Sequence, residues 1–168
     1  MQKVCVMGLG YIGLPLASIL ANDGYQVLGV DIREDIITKI NNGEACSKEP
    51  DLKTLVQAAI KAGNLKVSST KPSKSNIFII AVQTPLTKAK TADLNYVTRA
   101  TESILPVLEK GNTVILESTV PPRTFIDVIA PILGKTVFKV GDDIYLAYAP
   151  ERVLPGAILK ELIENDRR

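Results

Sequence analysis

The sequence predicts an α/β fold: a doubly wound, mainly parallel sheet with helices on both faces. Three observations carry that reading. Short apolar runs alternate with segments of helical periodicity along the 168 residues. A turn, Gly8-Leu9-Gly10-Tyr11-Ile12-Gly13, separates the first such run from the first helical segment. The most continuous apolar run, Ile77-Phe78-Ile79-Ile80-Ala81-Val82, has the pattern of a strand buried on both faces of a parallel sheet.

Taken in order, residues 3–7 form the first strand, which ends at Gly8. From residue 11 to about 22, Ile12, Leu14, Leu16, Ala17, Ile19 and Leu20 recur at helical spacing until Gly24. Residues 26–30 are the second strand, closing at Asp31, and Ile36, Ile37 and Ile40 mark a second helix before Asn41-Asn42-Gly43. Residues 44–50 read as a polar loop. Asp51 is the expected N-cap of a helix carrying Leu52, Leu55, Val56, Ala59 and Ile60, which Gly63 ends. A short strand is expected at 65–67 and the buried one at 76–82. After the polar stretch 83–93 comes a helix from about 95 to 109, which Pro106 should kink or end early. Residues 113–116 are a further buried strand, and Pro122 falls at the expected first position of a helix running to about Leu133. A strand at 144–149 precedes a last helix at about 157–165.

Composition excludes several functions. With 20 Lys+Arg against 18 Asp+Glu and 46% hydrophobic residues, the chain has neither the charge of a nucleic-acid binder nor the polarity of a disordered segment. It contains no histidine, so a Ser-His-Asp triad, a Cys-His pair and a His-ligated metal site cannot be built from it alone. No metal site is expected. Cys5 and Cys46 stand too far apart for a C-x-x-C motif and are too few for a disulfide framework, which suggests reduced thiols in a cytoplasmic protein. Neither a signal-peptide core nor a membrane span is expected, and so no membrane partner.

The glycine turn, between strand and helix, is the setting in which G-x-G-x-x-G binds a dinucleotide, and it sharpens the fold class to Rossmann-like. Gly8 permits the tight turn, Gly10 lets a pyrophosphate approach the backbone, and Gly13 lets helix pack on strand. Asp31 closes the second strand, where a carboxylate can accept from a ribose 2′-OH and repels a 2′-phosphate, which favours NAD over NADP. It would equally serve as a helix N-cap. Arg33 either pairs with such a phosphate or lies flat against an adenine ring. Gln83-Thr84-Pro85-Leu86, the segment from Glu117 to Thr124 and the segment from Pro150 to Gly156 each begin at the C-terminal end of an expected strand. That is the edge at which open α/β sheets bind ligands.

Gly8 to Pro15 (Gly-Leu-Gly-Tyr-Ile-Gly-Leu-Pro), Thr84-Pro85-Leu86, Glu117-Ser118-Thr119-Val120-Pro121-Pro122 and Pro150-Glu151-Arg152-Val153-Leu154-Pro155-Gly156 together resemble the N-terminal part of the UDP-glucose/GDP-mannose dehydrogenase family. Four motifs in order over nearly the whole chain are more specific than the glycine fingerprint. The resemblance implies oxidation of the C6 alcohol of a nucleotide sugar to a carboxylate in two NAD-dependent steps, through a thiohemiacetal and a thioester on a cysteine. Tyr11, Ile12, Asp31, Thr84 and Thr119 match cofactor-contacting positions. Arg152 and Val153 match substrate positions. Glu151 matches an acid that orients a water or the C6 group, and Thr119 can hold that water. The Pro150–Gly156 form, with Glu161-Leu162 and Asn165-Asp166-Arg167, is most similar to the branch acting on UDP-N-acetyl-D-mannosamine. Pro155 stands where the UDP-glucose branch has a catalytic glutamate.

Residues 1–168 are then expected to be the NAD-binding domain of a longer chain, with the nucleophilic cysteine, a lysine, the central helix of a homodimer and the substrate domain lying outside it. Cys5, inside the first strand, and Cys46 do not match the nucleophile. The chain alone is expected to be inactive. The product would enter polysaccharide biosynthesis. Other readings are a stand-alone, non-catalytic dinucleotide-binding module, or a 6-dehydrogenase for UDP-glucose, UDP-N-acetylglucosamine or GDP-mannose.

Overall fold

A computed structural model describes residues 1–45, 49–154 and 156–164. Its strands are β1 (Lys3–Met7), β2 (Gln26–Val30), β3 (Leu65–Ser68), β4 (Ile77–Ile80), β5 (Thr113–Leu116) and β6 (Tyr145–Tyr148). They form one six-stranded sheet in the order β3-β2-β1-β4-β5-β6. Every neighbouring pair is parallel, so the sheet is parallel throughout rather than mainly so. From β1 the chain steps outward to β3, then returns to lay β4 on the other side of β1, in register from Val4 opposite Ile77 to Met7 opposite Ile80. This reversal of direction opens the crevice at the C-terminal ends of β1 and β4 in which such sheets bind ligands.

The helices are α1 (Gly13–Asn22), α2 (Glu34–Asn41), α3 (Leu52–Lys61), α4 (Asn95–Ile104), α5 (Ala130–Leu133) and α6 (Ile158–Glu164). Alternation along β1 divides the core between two faces. Val4 and Val6 join Leu14, Ala17, Ile40 and Val56 under α1, α2 and α3, with Leu159 and Leu162 of α6 packed against them. Cys5 and Met7 point the other way, into a cluster with Phe78, Val97, Ile104 and Leu133 under α4 and α5. Each large apolar side chain so buried contributes about 1.5–3 kcal/mol. Among the described residues, no helix is long and apolar enough to cross a membrane.

Prolines account for most departures from the expected elements. Pro106 ends α4 at Ile104, because a proline has no N–H to offer the Glu102 carbonyl, and the chain continues as a 3-10 turn, Leu105–Val107. Pro122 is not the first helical residue. The amide of Thr124 donates to Pro121 O at 3.2 Å, closing a β-turn in which Pro122 is second and Arg123, at φ +69°, is third. The helix then opens with a π-helical turn, Phe125–Ile129, in which Ala130 N–H donates to Phe125 O. Pro131 follows, and the wider turn gives its ring room that an α-helix would deny. Asp51 does stand at the N-cap of α3, but at φ +60° and with no side-chain capping bond. Cys46, Pro155 and residues 165–168 lie outside the described residues.

Candidate functional site

The turn after β1 is shaped by its glycines. Gly8 leaves the strand at φ +93°, with its N–H donating to Val30 O at 2.7 Å. A Cβ on Gly13 would lie 1.8 Å from Gly8 O, whereas one on Gly10 would meet nothing within 4 Å. Gly8 and Gly13 are thus demanded by the turn itself, and the backbone at Gly10 stays open to a ligand. The amide of Leu14 bonds Gly10 O at 3.2 Å. Amides ahead of it have no carbonyl within α1 to bond and carry the positive end of the helix. This surface fits a pyrophosphate.

On one side of the turn, at the end of β2, lies Asp31, 7% exposed. Its Oδ2 accepts from the Leu9 amide at 2.9 Å and its Oδ1 from the Arg33 amide at 3.0 Å. The Arg33 guanidinium closes over both oxygens, at 3.1 and 3.2 Å. Burial pushes the Asp31 pKa up, but the guanidinium and the two amides outweigh it and hold the carboxyl below its ordinary range. In this structure the Arg33 guanidinium thus lies on Asp31. Asp31 bonds the amide one residue ahead of α2, so it closes a local turn and does not cap the helix.

On the other side, over β4, β5 and β6, is a cleft of about 260 Å³. Tyr11 and Ile12 line it from the turn, residues 81–84 from the end of β4, residues 117–119 from the end of β5, and Glu151 and Val153 from beyond β6. Hydrogen bonds fix its rims. The amides of Glu117 and Ser118 both donate to Ile80 O, at 2.9 and 3.1 Å. Ser118 Oγ donates to Val82 O, and Thr84 Oγ1 to Thr119 O, each at 2.7 Å. With its proton engaged, the Thr84 hydroxyl has only lone pairs left for a ligand. Two carboxylates border this small space. Glu117 is buried, and Glu151 accepts the Arg152 amide on Oε1 at 2.7 Å with its Oε2 also buried.

The chain that carries this turn, Asp31 and the cleft is similar to known proteins. The profile of the UDP-glucose/GDP-mannose dehydrogenase family, NAD binding domain, covers residues 2–168. The chain belongs to that family. UDP-N-acetyl-D-mannosamine dehydrogenase of Methanocaldococcus jannaschii is 51% identical over 99% of this chain and 38% of its own length. Among solved structures, the UDP-N-acetyl-mannosamine dehydrogenase of Staphylococcus aureus superposes with a TM-score of 0.94 at 47% identity, covering 98% of this chain and 40% of that one. The enzyme named UDP-D-ManNAc dehydrogenase from Pyrococcus horikoshii gives 0.92 at 45%, over 98% and 40%. The chain thus spans about two fifths of these relatives.

As an NAD-binding domain of the UDP-glucose/GDP-mannose dehydrogenase family, the chain takes NAD as its cofactor. Of the residues singled out from sequence, Tyr11, Ile12, Thr84, Thr119, Glu151 and Val153 meet at the cleft. Asp31 and Arg33 form their pair outside it, and Arg152 is exposed and does not line it. Two acidic residues were given no role from sequence. Glu117 sat in a recognised motif, and its place at a strand end was the available signal. Glu49, buried between α2 and α3, gave no signal, because its partners are 107 and 109 positions away.

Proposed function

We propose that residues 1–168 are the NAD-binding domain of a longer, cytoplasmic nucleotide-sugar 6-dehydrogenase that converts UDP-N-acetyl-D-mannosamine to its uronic acid in two NAD-dependent steps. The observation that carries this reading is the cleft beside the glycine turn, opposite Asp31. A dinucleotide laid across the switch point puts its adenosine at β2 and its other half over β4 and β5, where Tyr11, Thr84 and Thr119 converge. The similarity to relatives named UDP-N-acetyl-D-mannosamine dehydrogenase supports the choice of sugar.

In this reading Gly8, Gly10 and Gly13 shape the pyrophosphate site, and Asp31 accepts from the adenosine ribose as the exposed Arg33 guanidinium swings off its two oxygens. Bound NAD supplies a hydride acceptor. Converting a primary alcohol to a carboxylate removes four electrons and adds one water, so the site must also place a water. In this reading Glu151 and Thr119, which both line the cleft, hold that water between a carboxylate and a hydroxyl, and Val153 at the cleft and the exposed Arg152 beside it contact the sugar nucleotide. The nucleophile and the homodimer's central helix are supplied by the rest of the enzyme.

Calorimetric titration tests the cofactor reading directly. The 168-residue chain should bind NAD and bind NADP more weakly, and no uptake of NAD would sink it. On the longer enzyme, NADH formation should be fastest with UDP-N-acetyl-D-mannosamine among that sugar, UDP-glucose, UDP-N-acetylglucosamine and GDP-mannose. Oxidation of any of them by the 168-residue chain alone would contradict the assignment of the nucleophile elsewhere.

A further inference from the structure

We infer that Glu49 is a positioning residue, whose carboxylate holds the far end of segment 150–156 so that Glu151 and Val153 face the cleft. This rests on the reading above, in which the cleft receives the nicotinamide half of NAD. Residues 150–154 belong to no strand or helix, so their path is set by whatever bonds their backbone makes. The near end is fixed by the sheet, where Ala149 N–H donates to Leu116 O at 2.9 Å. At the far end Glu49 Oε2 accepts the Gly156 amide at 3.0 Å and Oε1 the Ile158 amide at 2.5 Å. Between these anchors, Glu161 Oε2 accepts the Leu154 amide at 2.8 Å.

The chain reverses at Gly156, φ +89°, and enters α6 two residues later. Glu49 grips the backbone on both sides of that reversal. It is 8% exposed, and charge-assisted bonds in such surroundings are strong and costly to lose. The contact also joins the loop after α2, which belongs to the adenosine half of the fold, to the segment that closes the nicotinamide half.

A purely structural role would damage both halves alike, so the test compares two ligands. The chain and its Glu49→Ala and Glu49→Gln variants are titrated with NAD and with ADP, which carries the adenosine and pyrophosphate but no nicotinamide. ADP affinity should be unchanged. NAD affinity should fall about tenfold in Glu49→Ala and less in Glu49→Gln, which keeps one acceptor oxygen. Hydrogen exchange should quicken at the Gly156 and Ile158 amides and stay as it was in β1. Retention of NAD affinity in Glu49→Ala, or equal loss of NAD and ADP, overturns the inference. If Glu49→Ala does not fold, Glu49→Gln decides by the same comparison. Should the unaltered chain bind NAD no better than ADP, the reading of the cleft fails, and exchange at Gly156 and Ile158 alone decides whether Glu49 holds the segment.

Discussion

Gly10 and Gly13 share one turn and answer to different demands. A methyl group at Gly13 would sit 1.8 Å from Gly8 O, and no rearrangement of a flexible side chain can relieve a clash with backbone. Gly13→Ala should cost about 3 kcal/mol in thermal or urea denaturation. At Gly10 the methyl meets nothing, so Gly10→Ala should leave stability within about 1 kcal/mol and weaken NAD binding by occupying the phosphate's approach. Equal effects of the two would show that the turn does not separate these roles. Asp31 gives a pH signature. Its folded pKa lies below its ordinary value, so its contribution to stability is complete above about pH 4 and vanishes as pH falls through the folded pKa. The Tm gap between the chain and Asp31→Asn should be constant near neutrality and shrink below about pH 4. The places of both glycines in the turn after β1, and of Asp31 at the end of β2, were legible in the sequence because local backbone sets them. The ion pair of Arg33 with Asp31 was not, because the reach of a guanidinium depends on its rotamer.

Among the elements, the strands were legible, as were the starts of α3 at Leu52 and α4 at Asn95, but the entrance to the helix leading into α5 was not. Strand limits at Lys3–Met7, Gln26–Val30 and Thr113–Leu116 follow from apolar runs between breakers, a signal each residue carries by itself. The start of the helix leading into α5 depends instead on how Pro121 and Pro122 together turn the chain. They force Arg123 into the third place of a turn that favours glycine. The left-handed conformation costs an arginine about 1–2 kcal/mol. Its exposed ion pair with Asp127, bonded at 2.9 Å through two nitrogens, returns about 0.5 kcal/mol. Arg123→Gly should therefore raise stability by about 0.5–1 kcal/mol, while Arg123→Ala, which keeps the strain and loses the pair, should lower it slightly. Denaturant titration of both variants checks this, and a less stable glycine variant would show that the pair outweighs the strain.

For the molecule as a whole, the buried apolar residues described fall into two clusters, one on each face of the sheet. Cys5 lies in β1 at the centre, fully buried, and burial pushes its thiol pKa up to about 12. It should resist alkylation at neutral pH in a Cys46→Ser background, and react only as fast as the whole domain opens. Modification well below the denaturant midpoint would show instead that the sheet opens locally. Fold class was legible at this scale because alternation and the glycine turn are repeated or local signals. The clamp from Glu49 to Gly156 and Ile158 was not, since nothing along the chain marks two amides more than a hundred positions away. The strand order has one more consequence, for synthesis. β2 lies beside β1, β3 beside β2, β4 beside β1, β5 beside β4 and β6 beside β5. From β2 onward, each strand leaving the ribosome finds its neighbour already made, so the nascent sheet can grow outward from β1 without waiting for a partner still to be translated.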